Sequence, residues 1–293
     1  MKTLTVITTT YNRDYCLHQV YDSLLRQTSK DFIWMIVDDG STDSTRELVE
    51  KWKTENLVEI EYYYKENGGM HTARNLAYEK VHTCLNVIID SDDWMTDDAV
   101  EKIVDFWNQH GDEKYYGIIS CNIDKEGKII GSPLPTDVFS STITELSGKY
   151  KMKGDKKIIL RSDLAKLNPF PEFPGEKFYP ASYKYKLLDL NYQLLVMNEA
   201  TCVVDYNDDS MTFHMYAQYK SCCNSFAHYR NAMIKISKSP RYILREMIHY
   251  IAESKMAKKS HYISKSSKPG YAVLAWLPGN LYYFYLTHTQ SKF

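Results

Sequence analysis

The sequence Val87-Ile88-Ile89-Asp90-Ser91-Asp92-Asp93-Trp94 sets the architecture that we predict for this chain. Three residues with strong strand preference run directly into a cluster of carboxylates, and an amphipathic helix follows from Thr96. A parallel strand that ends in acids delivers them to the sheet edge where open α/β folds bind ligands. Oxygen ligands on a short turn suit Mg²⁺ or Mn²⁺, which take their other ligands from phosphate and water. The pattern therefore predicts a divalent cation that holds a diphosphate.

Acidic residues that precede a helix also serve as N-caps and as partners of the helix dipole. Asp97 and Asp98 fit that structural role, because the apolar face of the helix begins directly after them. Asp90, Ser91 and Asp92 come earlier, at the end of the strand, where capping does not require them. A metal or nucleotide site is therefore predicted at these three residues.

The composition describes a folded protein with no bulk attraction for nucleic acid. Hydrophobic residues make up 44% of the 293 positions, charged residues 25%, and the net charge is -1, which argues against a nucleic-acid partner. The six cysteines show no Cys-x-x-Cys spacing and lie mostly among apolar residues, as reduced buried thiols do. No apolar signal-peptide core opens the sequence, so we expect a cytoplasmic location, with peripheral contact at the inner face of the membrane as one alternative.

Segments of strand and helix character alternate four times along the first 95 residues. Apolar strand-like runs occupy 4–10, 33–37, 59–64 and 87–89, and helical periodicity fills the intervals between them. This alternation predicts right-handed β-α-β units and a single, mostly parallel, doubly wound sheet flanked by helices. Polar residues follow every strand and should meet at one edge. No glycine-rich phosphate loop occurs, so a metal is expected to neutralise a bound diphosphate.

Four motifs in this order resemble those of family 2 glycosyltransferases with the GT-A fold. They are Thr9-Thr10-Tyr11-Asn12, Val37-Asp38-Asp39-Gly40-Ser41-Thr42-Asp43, Asn67-Gly68-Gly69 with Ala73-Arg74-Asn75, and Asp90-Ser91-Asp92-Asp93. The resemblance implies a GT-A catalytic domain over 1–212, a UDP-sugar donor and one Mn²⁺ or Mg²⁺. Together with the basic, aromatic C-terminal part, it implies a bacterial-type surface glycan on a lipid carrier as acceptor.

The resemblance assigns roles residue by residue. It puts Thr9 and Tyr11 near the nucleoside, Asp39 or its neighbour Asp38 at the uracil edge, and Arg74 near the uridine or diphosphate. Asp92 would ligate the metal, with Asp90 and the intervening Ser91 toward the ribose or donor sugar. A carboxylate can accept from the uracil N–H, and a nearby dication keeps an aspartate ionised. The cation would offset negative charge on the UDP leaving group.

Two further residues are expected from the later part of the chain. In the resembling family, a carboxylate that begins a helix after the sheet is the base of an inverting transfer, and Glu176 occupies that place here. Lys177 stands where the family commonly has Asp, which departs from the pattern. His214 follows a polar loop and is the candidate for a further metal ligand. Glu176 could instead only stabilise a helix start, and a lone His is often a packing residue.

The region 213–293 is predicted to be a helical extension rich in lysine and aromatic residues. Its segment 235–268 carries nine Lys and Arg against two Glu, interleaved with apolar residues at helical spacing. A basic amphipathic helix is a membrane-surface candidate, and 235–288 would make the peripheral contact. Alternatively, these helices pack on the catalytic domain or on a twin subunit as a homodimer contact.

These observations together predict a metal-dependent, inverting glycosyltransferase that acts on hexoses or N-acetylhexosamines. One alternative is a sugar-1-phosphate nucleotidyltransferase, although 8–12 is not the glycine-rich basic loop expected there. The other is a non-enzymatic partner subunit of another glycosyltransferase.

Overall fold

We describe residues 2–205 and 215–288 in a computed structural model of the chain. Within them, one sheet has the strand order β3-β2-β1-β4-β8-β6-β9-β5, with β7 paired to β9. The strands are β1 (Leu4–Thr10), β2 (Phe32–Asp38), β3 (Ile60–Tyr64), β4 (Leu85–Ile88), β5 (Trp94–Met95), β6 (Tyr115–Ile123), β7 (Ser140–Ser141), β8 (Lys156–Arg161) and β9 (Gln193–Val203).

The helices alternate with the first strands and then dominate the C-terminal part. They are α1 (His18–Leu25), α2 (Thr45–Glu55), α3 (Met70–Lys80), α4 (Ala99–His110), α5 (Ile143–Gly148), α6 (Ser162–Ala165), α7 (Ser182–Leu188), α8 (Met215–Ser221), α9 (Cys223–Ile236), α10 (Pro240–Met256), α11 (Pro269–Leu274) and α12 (Trp276–His288). The predicted fold class, a sheet flanked by helices with a helical C-terminal extension, is confirmed.

Parallel pairing joins the four N-terminal strands and recurs between β6 and β9. β1 pairs in parallel with β2 and β4, and β2 with β3. β8 inserts antiparallel between β4 and β6. Every residue of β1 and β2 is buried, in agreement with their continuous apolar or threonine sequences, which only Asp38 at the end of β2 interrupts. Tyr21 stacks on Trp52 beside them, with ring centroids 4.4 Å apart.

The chain divides into two compact units, and the C-terminal part has its own core. One unit comprises Met1–Pro169 and Lys184–Asp205, and the other Phe170–Tyr183 and Tyr206–Phe293. The predicted boundary at 212/213 falls outside the described residues, and the segment Phe170–Tyr183 groups with the C-terminal helices.

The core of the helical unit joins α9, α10 and α11. It is formed by the following small and apolar side chains: Ala227, Ile234, Ile243, Met247, Tyr250, Ile251, Ala272 and Ala275. Helix α12 approaches α10 at a glycine, since a Cβ at Gly279 would lie 2.8 Å from Ile251 Cβ. Within the described part of the chain, no helix is both long enough and apolar enough to cross a membrane.

Helix starts were predicted in position but not in their hydrogen bonds. Ser44 is the N-cap of α2 and Asp98 the N-cap of α4, yet neither side chain caps its helix. Asp98 instead pairs with Lys102 at 2.8 Å, and Asp97 with Arg26 at 3.0 Å. Asp98 is therefore the N-cap residue by position, but its carboxylate pairs with a nearby cation instead of a backbone N–H, as does that of Asp97. The role of both residues as partners of the helix dipole stays a prediction.

Candidate active site

Polar residues collect at the edge of the sheet where β1, β2 and β4 end. β1 and β2 stay in register to their last residues, where Thr10 lies opposite Asp38, and β4 runs beside β1 as far as Ile88. Because the strands are parallel, the motifs that follow them lie at the same edge. The sequence prediction that these motifs share one edge is therefore confirmed for β1, β2 and β4.

Asp38 joins the end of β2 to the next turn and to β3. The Tyr62 hydroxyl donates to Oδ2 at 2.7 Å, and the Ser41 N–H donates to Oδ1 at 2.7 Å. The Asp38 side chain is buried and both of its oxygens accept. Asp38 therefore supports the edge rather than presenting a free carboxylate there.

Asp39 organises the loop 65–69. Its Oδ1 accepts from Lys65 Nζ at 2.7 Å and from the Gly68 N–H at 3.0 Å. Its Oδ2 accepts from the Gly69 N–H at 2.7 Å and from Asn67 Nδ2 at 3.2 Å. Gly69 has φ +96°, a conformation that favours glycine, and its N–H reaches the carboxylate. The role of Asp39 at a uracil edge stays a prediction.

Arg74 and Asp90, two residues singled out from the sequence, lie together. Arg74 projects from the first turns of α3, and its Nη2 donates to Asp90 Oδ1 at 3.0 Å. The Arg74 side chain is 10% exposed and that of Asp90 is 45% exposed. The buried guanidinium of Arg74 therefore fixes the carboxylate of Asp90, which faces the solvent at the end of β4.

The residues Asp90-Ser91-Asp92-Asp93 after β4 form what we call the acidic turn. A buried lysine that sequence reasoning missed lies behind this turn. Lys157 Nζ, from β8, is 3.6 Å from Asp93 Oδ2, and both side chains are at most 10% exposed. Burial alone would lower the pKa of Lys157, but the neighbouring Cys202, Asp93 and Asp90 raise that pKa overall. Burial and the neighbouring carboxylate of Asp90 raise the pKa of Asp92. The acidic turn thus has a cation behind it and like charges along it.

Several buried polar atoms at this edge have no hydrogen-bond partner among the described residues. They are Thr9 Oγ1, Thr10 Oγ1, Asn67 Oδ1 and Arg74 Nε. A buried polar group without a partner costs about 1–3 kcal/mol, so such atoms normally meet a ligand or water. Asn67 is oriented by its amide nitrogen, which donates to the Asp39 carbonyl at 2.7 Å. Its Oδ1 is therefore a fixed acceptor.

The comparison with known families agrees with this site. Residues 5–162 match Glycosyl transferase family 2, and the match covers more than half of the chain. The chain belongs to glycosyl transferase family 2. The matched segment contains all four edge motifs and ends in the first residue of α6, so this family 2 region takes in β1 to β8.

The relatives that match this chain include bacterial glycosyltransferases. The chain is 24% identical over 263 residues to the poly(ribitol-phosphate) beta-N-acetylglucosaminyltransferase TarP of Staphylococcus aureus, across 86% of this chain and 77% of TarP. It is 37% identical over 105 residues to the putative teichuronic acid biosynthesis glycosyltransferase TuaG of Bacillus subtilis, across 35% of this chain and 41% of TuaG. It is 34% identical over 117 residues to the glycosyltransferase GlyA of Streptococcus pneumoniae, but this alignment spans 39% of the chain and 17% of GlyA.

Solved structures show the same fold. S. aureus TarS 1–349 in complex with UDP-GlcNAc superposes with a TM-score of 0.60 at 18% identity, covering 98% of this chain and 90% of that chain. The mannosyltransferase PcManGT from Pyrobaculum calidifontis, in complex with GDP-Man and Mn2+, superposes with a TM-score of 0.56 at 16% identity. It covers 97% of this chain and 84% of PcManGT.

The oxygen ligands available at the end of β4 suit a hard divalent cation such as Mg²⁺ or Mn²⁺. Asp90 and Asp92 supply carboxylate oxygens, and burial together with the nearby Asp90 disfavours the charged form of Asp92, which a cation would relieve. In the described ranges 2–205 and 215–288, no group of three or more His, Cys, Asp or Glu side chains is arranged to hold a metal. A cation held here would take its remaining ligands from phosphate and water, as Mg²⁺ commonly does.

The other predicted site residues differ in burial and in the unit of the chain to which they belong. Tyr11 follows β1 and is 47% exposed, while Ser91 is buried in the acidic turn. Glu176 belongs to the helical unit, where its Oε1 accepts from Asn224 N at 2.8 Å and Nδ2 at 2.9 Å, and its Oε2 accepts from the Ser225 N–H at 2.7 Å. It thus caps the start of α9, which agrees with the alternative that Glu176 stabilises a helix start, although this helix begins more than forty residues later in the chain. His214 lies outside the described residues.

Proposed function

We propose that this chain transfers a sugar from a UDP-sugar to an acceptor hydroxyl, with a divalent cation and with inversion at the sugar carbon. The observation that carries the proposal is the acidic turn after β4, where Asp90 is held by Arg74 and Asp92 follows two residues on. This turn lies at the sheet edge with the unpartnered Thr9 and Asn67 oxygens. The arrangement offers acceptors for a nucleoside and charged groups for a diphosphate.

N-acetylglucosamine is the first sugar to test. TarP, the relative aligned over most of the chain, is described as an N-acetylglucosaminyltransferase, and TarS 1–349 has been solved with UDP-GlcNAc. TarP and TuaG are named for the cell-surface polymers poly(ribitol phosphate) and teichuronic acid. We therefore propose a hydroxyl of a cell-surface polymer, free or lipid-linked, as the acceptor class, and a cytoplasmic location for the reaction.

The residues of this site act by charge and position. Asp92, with Asp90, would hold the cation, which when bound supplies Lewis-acid stabilisation of the leaving diphosphate. Arg74 keeps a positive charge beside the same turn and fixes the Asp90 carboxylate in one orientation. Asp39 holds the loop 65–69 against the end of β2, so that Asn67 presents its acceptor in a fixed direction. Positioning of donor and acceptor supplies the remainder of the rate enhancement.

A donor screen by UDP release tests the proposal. We expect UDP release from UDP-GlcNAc or a related UDP-sugar with Mn²⁺ or Mg²⁺, and at least about a hundredfold loss in Asp92→Asn, since metal-held charge stabilisation is worth several kcal/mol. Asp97→Asn is the matched control, because Asp97 is acidic, nearby and exposed on the surface.

A direct readout of the metal accompanies the screen. Mn²⁺ binding in the presence of UDP, followed by electron paramagnetic resonance, should weaken in Asp92→Asn and persist in Asp97→Asn. Equal binding in both variants would exclude Asp92 as a ligand. Pyrophosphate release from UTP and a sugar phosphate would instead indicate a nucleotidyltransferase. Failure to turn over any UDP-sugar would favour a non-enzymatic partner.

Glu176 remains the predicted base for the acceptor hydroxyl, and its contacts provide a test of that role. Three N–H donors already engage its carboxylate, so Glu176→Gln replaces one acceptor oxygen with an amide that cannot accept. A base predicts at least about a hundredfold loss of transfer with donor binding retained. A purely structural cap predicts a loss of about 1–2 kcal/mol in unfolding free energy and nearly normal turnover of the folded enzyme. Measuring both quantities on one variant separates the two roles.

A further inference from the structure

The last two helices, α11 and α12, expose an unusually apolar surface. We define this apolar face by its seven exposed side chains: Val273, Leu274, Trp276, Leu277, Leu281, Phe284 and Tyr285. Their exposed fractions run from 49% for Trp276 and Tyr285 to 72% for Leu274. Single exposed apolar residues are normal on a protein, but a contiguous set at helical spacing marks an interaction surface.

The opposite side of the same two helices is buried against the rest of the helical unit. Ala272 and Ala275 are fully buried in the core of the helical unit, and Leu286 is 1% exposed. Gly279 brings α12 into contact with Ile251 of α10. The helices are therefore anchored on one side, so the apolar face is not a core surface awaiting a partner within this unit.

The helices α8 to α12 and the segments that connect them carry a net positive charge. Between 215 and 288 the sequence has eleven Lys and Arg but only two acids, Glu246 and Glu253. Both acids are buried and pair with arginine, Glu246 with Arg230 at 2.7 Å and Glu253 with Arg230 at 3.4 Å. The exposed cations include Lys235, Lys238, Arg241, Lys258 and Lys265. The segment 269–287 has no Asp, Glu, Lys or Arg at all.

We propose that the apolar face rests on an anionic lipid bilayer, with α11 and α12 in the interface and the basic residues of 235–268 facing anionic headgroups. Trp and Tyr side chains favour that depth, because the ring is apolar and its polar tip reaches water. Lys and Arg near the surface add an attraction that depends on lipid charge. The segment 269–287 has no charged side chain, as expected for helices that lie at the boundary between headgroups and acyl chains.

Charge complementarity favours lipid over a second copy of the chain. Two copies meeting at this face would bring two positively charged units together, whereas an anionic surface lowers their electrostatic energy. A protein dimer would also pair the face with itself and leave the flanking lysines without a partner of opposite sign. The inference does not depend on the reaction proposed above, because a binding assay needs neither donor nor acceptor.

Vesicle co-sedimentation of the full chain tests the proposal. We expect binding to phosphatidylcholine vesicles that contain phosphatidylglycerol, little binding to phosphatidylcholine alone, and weaker binding at high salt. Leu277→Glu with Phe284→Glu should lower the affinity by at least about tenfold, because the variant loses buried apolar groups and adds charge at the interface. Leu57→Glu is the matched control, since Leu57 and Leu277 are both 61% exposed.

Two further measurements make the outcome decisive. Thermal unfolding should be similar in all variants, because the substituted side chains are exposed, and UDP-sugar turnover should not change. Light scattering of the free protein reports its oligomeric state. The proposal is wrong if the wild-type chain binds neither vesicle, or if Leu277→Glu with Phe284→Glu binds as the wild type does. A dimer that the same variant dissociates, without vesicle binding, would assign the face to a second copy.

Discussion

Lys157→Met removes the buried cation behind the acidic turn and leaves a side chain of similar length. Removing one partner of a buried ion pair typically costs about 3–5 kcal/mol, because the other charge remains buried without compensation. Lys157 and Asp93 are 10% and 7% exposed, so solvent screens them little. Burial raises the pKa of Asp93, so this carboxyl can take up a proton when the lysine is lost, which limits the cost. We therefore expect a loss of about 3 kcal/mol in unfolding free energy.

Urea unfolding followed by tryptophan fluorescence measures this loss, and a double-mutant cycle isolates the pair. Asp93→Asn alone should also destabilise, because it leaves the Lys157 ammonium buried without its carboxylate. The double variant should be less destabilised than the sum of the two, with a coupling energy of about 1–3 kcal/mol. If Lys157→Met unfolds within about 0.5 kcal/mol of the wild type, as a surface substitution does, the reasoning fails. Additive effects in the cycle would refute it equally.

Two further predictions concern the helical unit. Gly279→Ala should lower the unfolding free energy by about 1–3 kcal/mol, because its Cβ would lie 2.8 Å from Ile251, whereas Gly270→Ala, which meets open space, should have little effect in the same thermal melts. Burial raises the pKa of Glu253 to about 8, so the native state holds a proton that the unfolded state, with a pKa near 4.5, releases. Stability should therefore fall as the pH rises from 4.5 to 8. Glu253→Gln should flatten that part of the melting-temperature profile, and an unchanged slope would show that Glu253 does not carry the proton.

The central strands and the acidic turn were predictable because their signals are local. Buried parallel strands must be apolar on both faces, so β1, β2 and β4 are visible as short apolar runs. The positions of Asp90 and Asp92 follow directly from the end of such a run. The sequence predicted that Arg74 belongs to the same site as these aspartates, but not that it contacts Asp90. That 3.0 Å hydrogen bond depends on the position of α3 in the fold.

Most of the features that escaped prediction depend on partners far away in the sequence. Lys157 belongs to a basic and apolar run that resembles an exposed strand, and its burial arises because β8 inserts antiparallel between β4 and β6. Glu176 meets its donors almost fifty residues later, at the start of α9. Asp97 and Asp98 had the right spacing for caps, but nearby cations compete for their carboxylates. The competitor of Asp97 is Arg26, far away in the sequence, whereas that of Asp98 is Lys102, only four residues on.

The contacts of Asp39 have a consequence for the thermodynamics of ligand binding. Since one carboxylate gathers two backbone N–H groups, an amide and an ammonium from 65–69, this loop is already ordered before any nucleotide arrives. A flexible loop would lose conformational entropy when the nucleotide binds. Here the loop 65–69 has already lost that entropy during folding. Calorimetry of UDP binding should accordingly record a small heat-capacity change, of the size expected for ligand burial alone, and Asp39→Ala should enlarge it as the loop orders only on binding.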